Sequence, residues 1–508
     1  MLAKVKSVAI IGLTCEEVEV ETDFGGGRGG QFVIVGLPDK AVEEAKERIR
    51  LAIRSSGLKV PRPKINVNLA PADLHKAGPS YDLPISVALL VSMGEISQDS
   101  IADSLFVGEL AFDGNLRHTN GVLPAAIFAK EKGFKKLFIP SINTKEAVVI
   151  DGIDIYAMDN LRQLVDHLTG KEISNPAQFS KEIEIEESFL SQSDMAYVKG
   201  QEHAKRALEI TAAGGHNVLM SGPPGSGKTL LARTIPSILP KMEMDEILEV
   251  TKIYSVAGYL PKGQGLVKIR PFRSPHHTSS AASLVGGGTI PKPGEISLSH
   301  RGVLFLDEFP EFPRTVLENL RQPLEDGVIT IGRAQTTLSF PARFILVASQ
   351  NPCPCGYASD PDRECTCAPS QIIKYQQKIS GPILDRIDLH IEVPRVEFEK
   401  LSGAELAESS ALIRERVQSA RNIQSARFKD ESVVTNSEMS SEQIKKYCPI
   451  DSATSELLRN AVNQLHLSAR AYHRILKLAR TIADLANEPN IKLEYVAEAL
   501  QYRPKVGE

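Results

Sequence analysis

Residues 222–229 read Gly222, Pro223, Pro224, Gly225, Ser226, Gly227, Lys228 and Thr229. At this spacing these residue types suit the gripping of a polyphosphate. Three glycines let the backbone curl so that its amides face phosphate oxygens, and a helix opening near Lys228 adds the positive end of its dipole. Lys228 is placed to neutralise β- and γ-phosphates, and Thr229 to offer a hydroxyl to Mg²⁺. The surrounding stretch, HNVLMSGPPGSGKTLLARTI (216–235), supplies an apolar strand before the turn and a helical pattern after it. That context separates a phosphate loop from a glycine turn that merely ends a strand.

Two further segments complete such a site. GVLFLDE (302–308) is four consecutive apolar residues running into two carboxylates, the pattern of a strand buried on both faces. Chemistry in open α/β sheets gathers at the carboxyl ends of strands. Asp307 can therefore hold Mg²⁺, while Glu308 polarises an attacking water. FILVASQN (344–351) is a second buried strand that ends in Gln350 and Asn351. Asn351 is the amide expected to position the water; its alternative role is a turn before Pro352.

Four of the six cysteines, Cys353, Cys355, Cys365 and Cys367, fall within CPCGYASDPDRECTC. Paired thiolates around a short polar loop suit a tetrahedral, structural Zn²⁺; redox or free thiols are the other reading. His276 and His277 read as structural or subunit-contact residues rather than metal ligands.

These groups need a scaffold of more than one domain, and 508 residues make two or three domains the natural division. The stretch to about residue 170 mixes strands such as INVNLAP (65–71) with a helical pattern at KAVEEAKERIRLAIRSSG (40–57). Residues 171–194 are polar and acidic and read as a linker, 195–395 alternate strand and helix as a parallel sheet does, and 403–508 read as helices. GGGRGG (25–30) reads as a mobile loop. A hydrophobic share of 42% against 24% charged is that of a soluble globular protein, and no apolar run reaches the roughly 18 residues that span a bilayer. Scattered cysteines point to a reducing, cytoplasmic setting. The net charge of −4 excludes a chain-wide basic coat, so any nucleic-acid contact must be local.

PFRSPHHTSS, GEISLSHRGVLFLDEFPEF, NPCPCG and GPILDRIDLHIEVP together resemble the Mg-chelatase-like AAA+ proteins of the ComM/YifB family. The likeness extends forward through VGLPDKAVEEAKERIR and VNLAPADLHKAGPSYDLPIS. It implies an α/β fold: an AAA+ P-loop parallel sheet with a C-terminal helical lid, preceded by an α+β Lon-protease-like (S5-type) domain. The implied cofactors are ATP and Mg²⁺. The implied assembly is a homo-hexamer acting on DNA in branch migration when transformed DNA integrates, with no membrane partner. Asn351 matches sensor 1, Arg386 in LDRIDL the arginine finger of the neighbouring subunit, and Arg470 in LSARAYHR sensor 2 of the lid. From its residues alone Arg386, flanked by aspartates, reads as a salt-bridged structural group, and Arg474 competes with Arg470.

The resemblance also marks SSAASLVGGGTIPKPGEISL (279–298) as a helix-2 insert. DGVITIGRAQTTLSFPARF (326–344) alternates like a β-hairpin and matches the pre-sensor 1 hairpin. Lys292 and Arg333 would then line a pore and contact DNA phosphates; otherwise they are solvated loop residues. AGPSYDLP (77–84) resembles the serine loop of Lon-type proteases, with Ser80 at the nucleophile's position. DGNLRHTNGVLPAA (113–126) lacks the lysine a Ser–Lys dyad needs, so a non-catalytic domain is expected. The competing functions are a protein-remodelling ATPase without DNA, a chelatase subunit and, more remotely, a peptidase.

Overall fold

The computed structural model describes residues 2–28, 31–60, 63–178, 194–261, 263–288, 291–332, 337–360, 363–396, 406–431, 433–465 and 467–503. Most of the acidic linker, the end of the GGGRGG segment and Arg333 lie outside these. The chain divides into two compact units, the first made of Met1–Glu184, Met244–Lys268 and Gly288–Lys292. Among the described residues no helix is long and apolar enough to cross a membrane.

The first unit is α+β. The strands of its main sheet are β1 (Ala3–Ile11), β2 (Thr14–Arg28), β3 (Phe32–Val35), β4 (Pro63–Ala70), β5 (Ser104–Phe106), β6 (Lys136–Pro140) and β7 (Asp154–Met158). They form one mixed sheet in the order β3-β4-β2-β1-β5-β6-β7. Helix α1 (Lys40–Ser55) opens where Asp39 accepts the Val42 amide at 2.8 Å, and it buries Val42, Ala45, Ile49, Ala52 and Ile53. That spacing keeps one apolar stripe toward the core. Ser80 sits in a short turn where its carbonyl accepts the Gly108 amide at 3.0 Å. The nearby buried Lys76 directs Nζ to the Pro71 carbonyl.

One helix of this unit comes from far along the chain. Met244–Ala257 lies inside the stretch assigned by sequence to the ATPase domain, yet it packs with Val122–Glu131 in the first unit. Its apolar positions Ile247, Val250 and Ile253 are buried. Ser255 Oγ donates to Glu146 at 2.7 Å and accepts the Gly121 amide at 3.1 Å. Asn143 Nδ2 donates to the same carboxylate at 2.6 Å. Burial pushes the Glu146 carboxyl above its ordinary value, against the pull of these donors.

The second unit holds Ile185–Glu243, Ile269–Gly287 and Pro293–Glu508. Its strands β8 (Val218–Ser221), β9 (Phe272–Arg273), β10 (Val303–Leu306), β11 (Ile345–Gln350) and β12 (Leu389–Glu392) form an all-parallel sheet in the order β9-β10-β11-β8-β12. Every residue of β10 is buried, as a strand covered on both faces requires. The C-terminal part is helical: Ser410–Arg427, Ser441–Tyr447, Ser452–Leu465, Ala469–Leu485 and Leu493–Gln501. Ile413, Val417, Leu476 and Ile482 from these helices share one core with Val218, Val303, Val347 and Leu389 of the sheet. Within the 326–344 segment, Val328–Gly332 pairs antiparallel with Thr337–Pro341.

The helical part is pinned by a buried charge cluster. Asp484 accepts from Arg427 at 2.5 and 2.8 Å, from Arg480 Nε at 3.0 Å and from Asn436 at 2.8 Å. Asp484→Ala leaves two guanidiniums without their carboxylate, so we expect a loss of about 3–5 kcal/mol, read in denaturant unfolding. A second expectation concerns pH. Burial, helped by nearby Arg474, lowers the His390 imidazole from 6.5 to about 4. As pH falls through that window the unfolded chain takes up this proton first, so stability declines from about pH 6.5 toward about pH 4. His390→Gln should flatten this part of the curve of unfolding midpoint against pH.

Candidate functional site

Three adjacent parallel strands deliver the candidate groups to one edge of the sheet. Gly222 follows β8, Asp307 and Glu308 follow β10, and Asn351 follows β11, the strand between them. All leave from carboxyl ends, where a crevice forms in open α/β sheets. The Gly222 amide donates to the Gln350 carbonyl at 3.2 Å, tying the loop's start to β11. Gly225 and Gly227 have φ of +75° and +90°, values that an L side chain resists. The helix Lys228–Ile238 then opens directly from Gly227.

Lys228 is buried beneath this loop. Its Nζ donates to the carbonyls of Gly222 at 2.8 Å and Pro223 at 2.9 Å, and to Asn351 Oδ1 at 3.3 Å. Burial lowers its ammonium below the ordinary lysine value, with Asp307 opposing. Thr229 Oγ1 donates to Asp307 Oδ2 at 2.9 Å. Ser349 Oγ donates to the other oxygen, Oδ1, which also accepts the Glu308 amide at 3.1 Å. Thr229 and Asp307 are thus a hydroxyl and a carboxylate in contact, the pair a hard cation such as Mg²⁺ takes together with phosphate oxygens. Ser349 has no counterpart in the sequence reading; its place two residues before Asn351 was the available signal.

Glu308 adopts φ 52°, ψ 47°. A left-handed non-glycine residue stores about 1–3 kcal/mol and points to a functional constraint. Its side chain is 56% exposed, and Oε2 lies 3.1 Å from His277 Nδ1. The His277 ring in turn lies tilted against His276, with centroids 4.1 Å apart. The structure therefore puts His277 at the carboxylate expected to act as base, a placement that spacing along the chain could not reveal.

Two arginines meet elsewhere in this unit. Arg386 donates to the Pro382 carbonyl at 2.6 Å and pairs with Glu325, and Arg470 reaches the other oxygen of Glu325 at 3.9 Å. Among the described residues Glu325 is their shared ion partner. Arg386 holds the Glu325 carboxyl below its ordinary range. The flanking aspartates are occupied otherwise: Asp388 with His216 at 3.2 Å, and Asp385 with Arg474 at 3.6 Å. Arg474 also donates to the Ile387 carbonyl at 2.6 Å, so it anchors a turn. Arg470 keeps 62% of its side chain exposed.

The four cysteines converge. Cys353 Sγ lies 3.3 Å from that of Cys355 and 3.6 Å from that of Cys365; Cys355 and Cys365 are 3.6 Å apart. All four sulfurs fall within 4.8 Å of one another, and the thiols are free. The Cys355 amide donates to Cys367 Sγ at 3.4 Å. Lys292 is exposed at a two-residue strand, Lys292–Pro293.

Family models match along most of the chain. They are "Subunit ChlI of Mg-chelatase" over 18–143, "Magnesium chelatase, subunit ChlI" over 194–401, and "Magnesium chelatase, subunit ChlI C-terminal" over 407–503. The chain is 43% identical over 507 residues to competence protein ComM of Haemophilus influenzae, covering 99% of this chain and 98% of that protein. This chain belongs to the ComM/YifB family of Mg-chelatase-like AAA+ ATPases. The YifB protein of Escherichia coli is 41% identical over 503 residues, 99% of this chain and 97% of that protein. Lon protease 2 of Bacillus subtilis is 28% identical over 142 residues, 28% of this chain and 24% of that protein. That partial likeness accords with a Lon-like α+β fold in front of the AAA+ sheet. Membership of the family implies ATP hydrolysis with Mg²⁺.

Proposed function

We propose that the protein is a ring-forming, ATP-driven DNA motor of the cytoplasm, working as a homo-hexamer that migrates DNA branches while transformed DNA is integrated. The observation that carries the ATPase part is the meeting of Lys228 with Asn351 and of Thr229 with Asp307 at one sheet edge. In this reading Gly222–Thr229 cradle the phosphates, and Lys228 neutralises the β- and γ-phosphates. Thr229 and Asp307 hold Mg²⁺, Glu308 takes the proton of the attacking water, and Asn351 orients that water. Arg386 and Arg470 serve an ATP at a subunit boundary as arginine finger and sensor 2. DNA as substrate is supported by full-length likeness to a protein named for competence. Lys292, with Arg333, would contact phosphates without reading sequence.

The four cysteines are proposed to hold a structural Zn²⁺. With Zn–S near 2.3 Å, a tetrahedral ion sets its sulfurs about 3.8 Å apart; three of the sulfur pairs lie 3.3–3.6 Å apart and all four sulfurs within 4.8 Å, which brackets such a spacing.

ATP hydrolysis and movement of a labelled four-way junction, each measured with and without DNA, test the motor. Stimulated hydrolysis and branch movement, both lost in Lys228→Ala, are the expected result. Absence of DNA binding and of stimulation at low salt would turn the assignment toward protein remodelling.

A further inference from the structure

The cysteine loop does more than neighbour the phosphate site in sequence. It leaves β11 through Asn351 and Pro352, and Cys353 is fully buried at its root. Gly356, with φ +87°, passes so close to the phosphate loop that a Cβ there would lie 2.6 Å from Pro224 Cδ and 2.7 Å from its Cγ. The same point is 3.9 Å from Asn351 Cγ, and Asn351 Oδ1 is the atom that accepts from Lys228. Backbone from the cysteine loop is thus wedged against both the phosphate loop and the residue expected to position water.

Beside the sulfurs, the described residues of the loop have a polar anchor: Asp360, its side chain fully buried, pairs with Arg395 at 3.0 Å. CPCGYASDPDRECTC contains one large apolar side chain, Tyr357. Tyr357 is engaged by Arg363, which donates to its hydroxyl at 2.8 Å, and by Arg395 at 5.7 Å from its ring. A short polar segment of this kind has too few apolar contacts to offset its own ordering, and a metal cross-link is the usual substitute. Here two of the sulfurs lie close to Gly356 along the chain: Cys355 precedes it directly, Cys353 lies three residues before, and the Gly356 amide donates to the Cys353 carbonyl at 3.0 Å.

We infer that a thiophilic divalent ion bound by Cys353, Cys355, Cys365 and Cys367 braces the nucleotide site, fixing Gly356 against Pro224 and Asn351. This rests on the tetrathiolate reading above and adds a role to it: metal occupancy sets nucleotide affinity. The ion takes no part in the chemistry of the phosphate. It fixes the geometry of a loop that must be right to within a fraction of an ångström.

The test uses the full-length chain, with metal content measured by elemental analysis and the affinity for a fluorescent ATP analogue by titration. We expect about one zinc per chain. Stripping it with a mercurial and chelator should weaken analogue binding by about ten- to a hundredfold, with Zn²⁺ restoring it. Cys365→Ser/Cys367→Ser should show the same loss without rescue. Gly356→Ala keeps all four thiols and should keep the metal, yet bind the analogue more weakly. Protein purified without metal overturns the tetrathiolate site and the brace together. Metal that is present but can be removed without changing affinity overturns the brace alone. Should the stripped protein unfold, Gly356→Ala decides: full metal with unchanged affinity overturns the brace.

Discussion

Glu308→Gln protein should bind ATP but hydrolyse it about 10²–10⁴ times more slowly than the wild type. The substitution keeps the side chain's volume and an oxygen acceptor while removing the group that can take a proton. Its neighbours explain why binding survives. The contacts that tie the phosphate loop, Gly222 to Gln350, Lys228 to Asn351 and Thr229 to Asp307, do not involve the Glu308 carboxylate. Only the backbone amide of Glu308 reaches Asp307 and Ser349, and Gln retains it. The left-handed backbone at residue 308 is held by the same amide contacts and should persist. Single-turnover phosphate release beside equilibrium binding separates the two effects. Hydrolysis within a fewfold of wild type would remove Glu308 from the role of base.

Arg386→Ala should cost about 10³–10⁵ in hydrolysis, the contribution of an arginine finger. Its own chain shows where the side chain rests, against Glu325 and the Pro382 carbonyl, rather than at Lys228, Asp307 or Glu308. A guanidinium held by an exposed glutamate at its own subunit's surface can exchange that partner for a phosphate of a neighbour. The Arg386 side chain is 15% exposed beside a glutamate that is 54% exposed, so the exchange gives up a partly buried pair. The distinguishing measurement mixes subunits. Arg386→Ala would retain an intact phosphate loop and Lys228→Ala the proposed finger, so if the finger acts between subunits a mixture should regain part of the activity that neither variant has alone. A mixture as inactive as its components, with assembly intact by light scattering, would place Arg386 within its own subunit's site.

The nucleotide site was largely legible along the chain because its elements are local. A phosphate loop needs glycine, lysine and threonine at fixed offsets between a strand and a helix, and a buried strand ending in two carboxylates announces itself by its uninterrupted apolar run. The clustering of four cysteines within fifteen residues was equally local. Arg386 and Arg470 are different. Nothing in their immediate sequence separates a structural pair from a catalytic one, and only the family resemblance distinguished them.

What the sequence by itself determined, then, is the set of groups that can grip a polyphosphate and the strands and turns that carry them, since both follow from residue type and short-range spacing. The tertiary structure decided which of these groups touch. It brought His277 to Glu308 across thirty-one positions, paired Arg386 and Arg470 on one Glu325, and pressed Gly356 against Pro224 from more than a hundred residues away. It also sent Met244–Ala257 into the first unit. Such pairings depend on sheet order and on which apolar faces find cover, and neither is encoded in the spacing of any one motif.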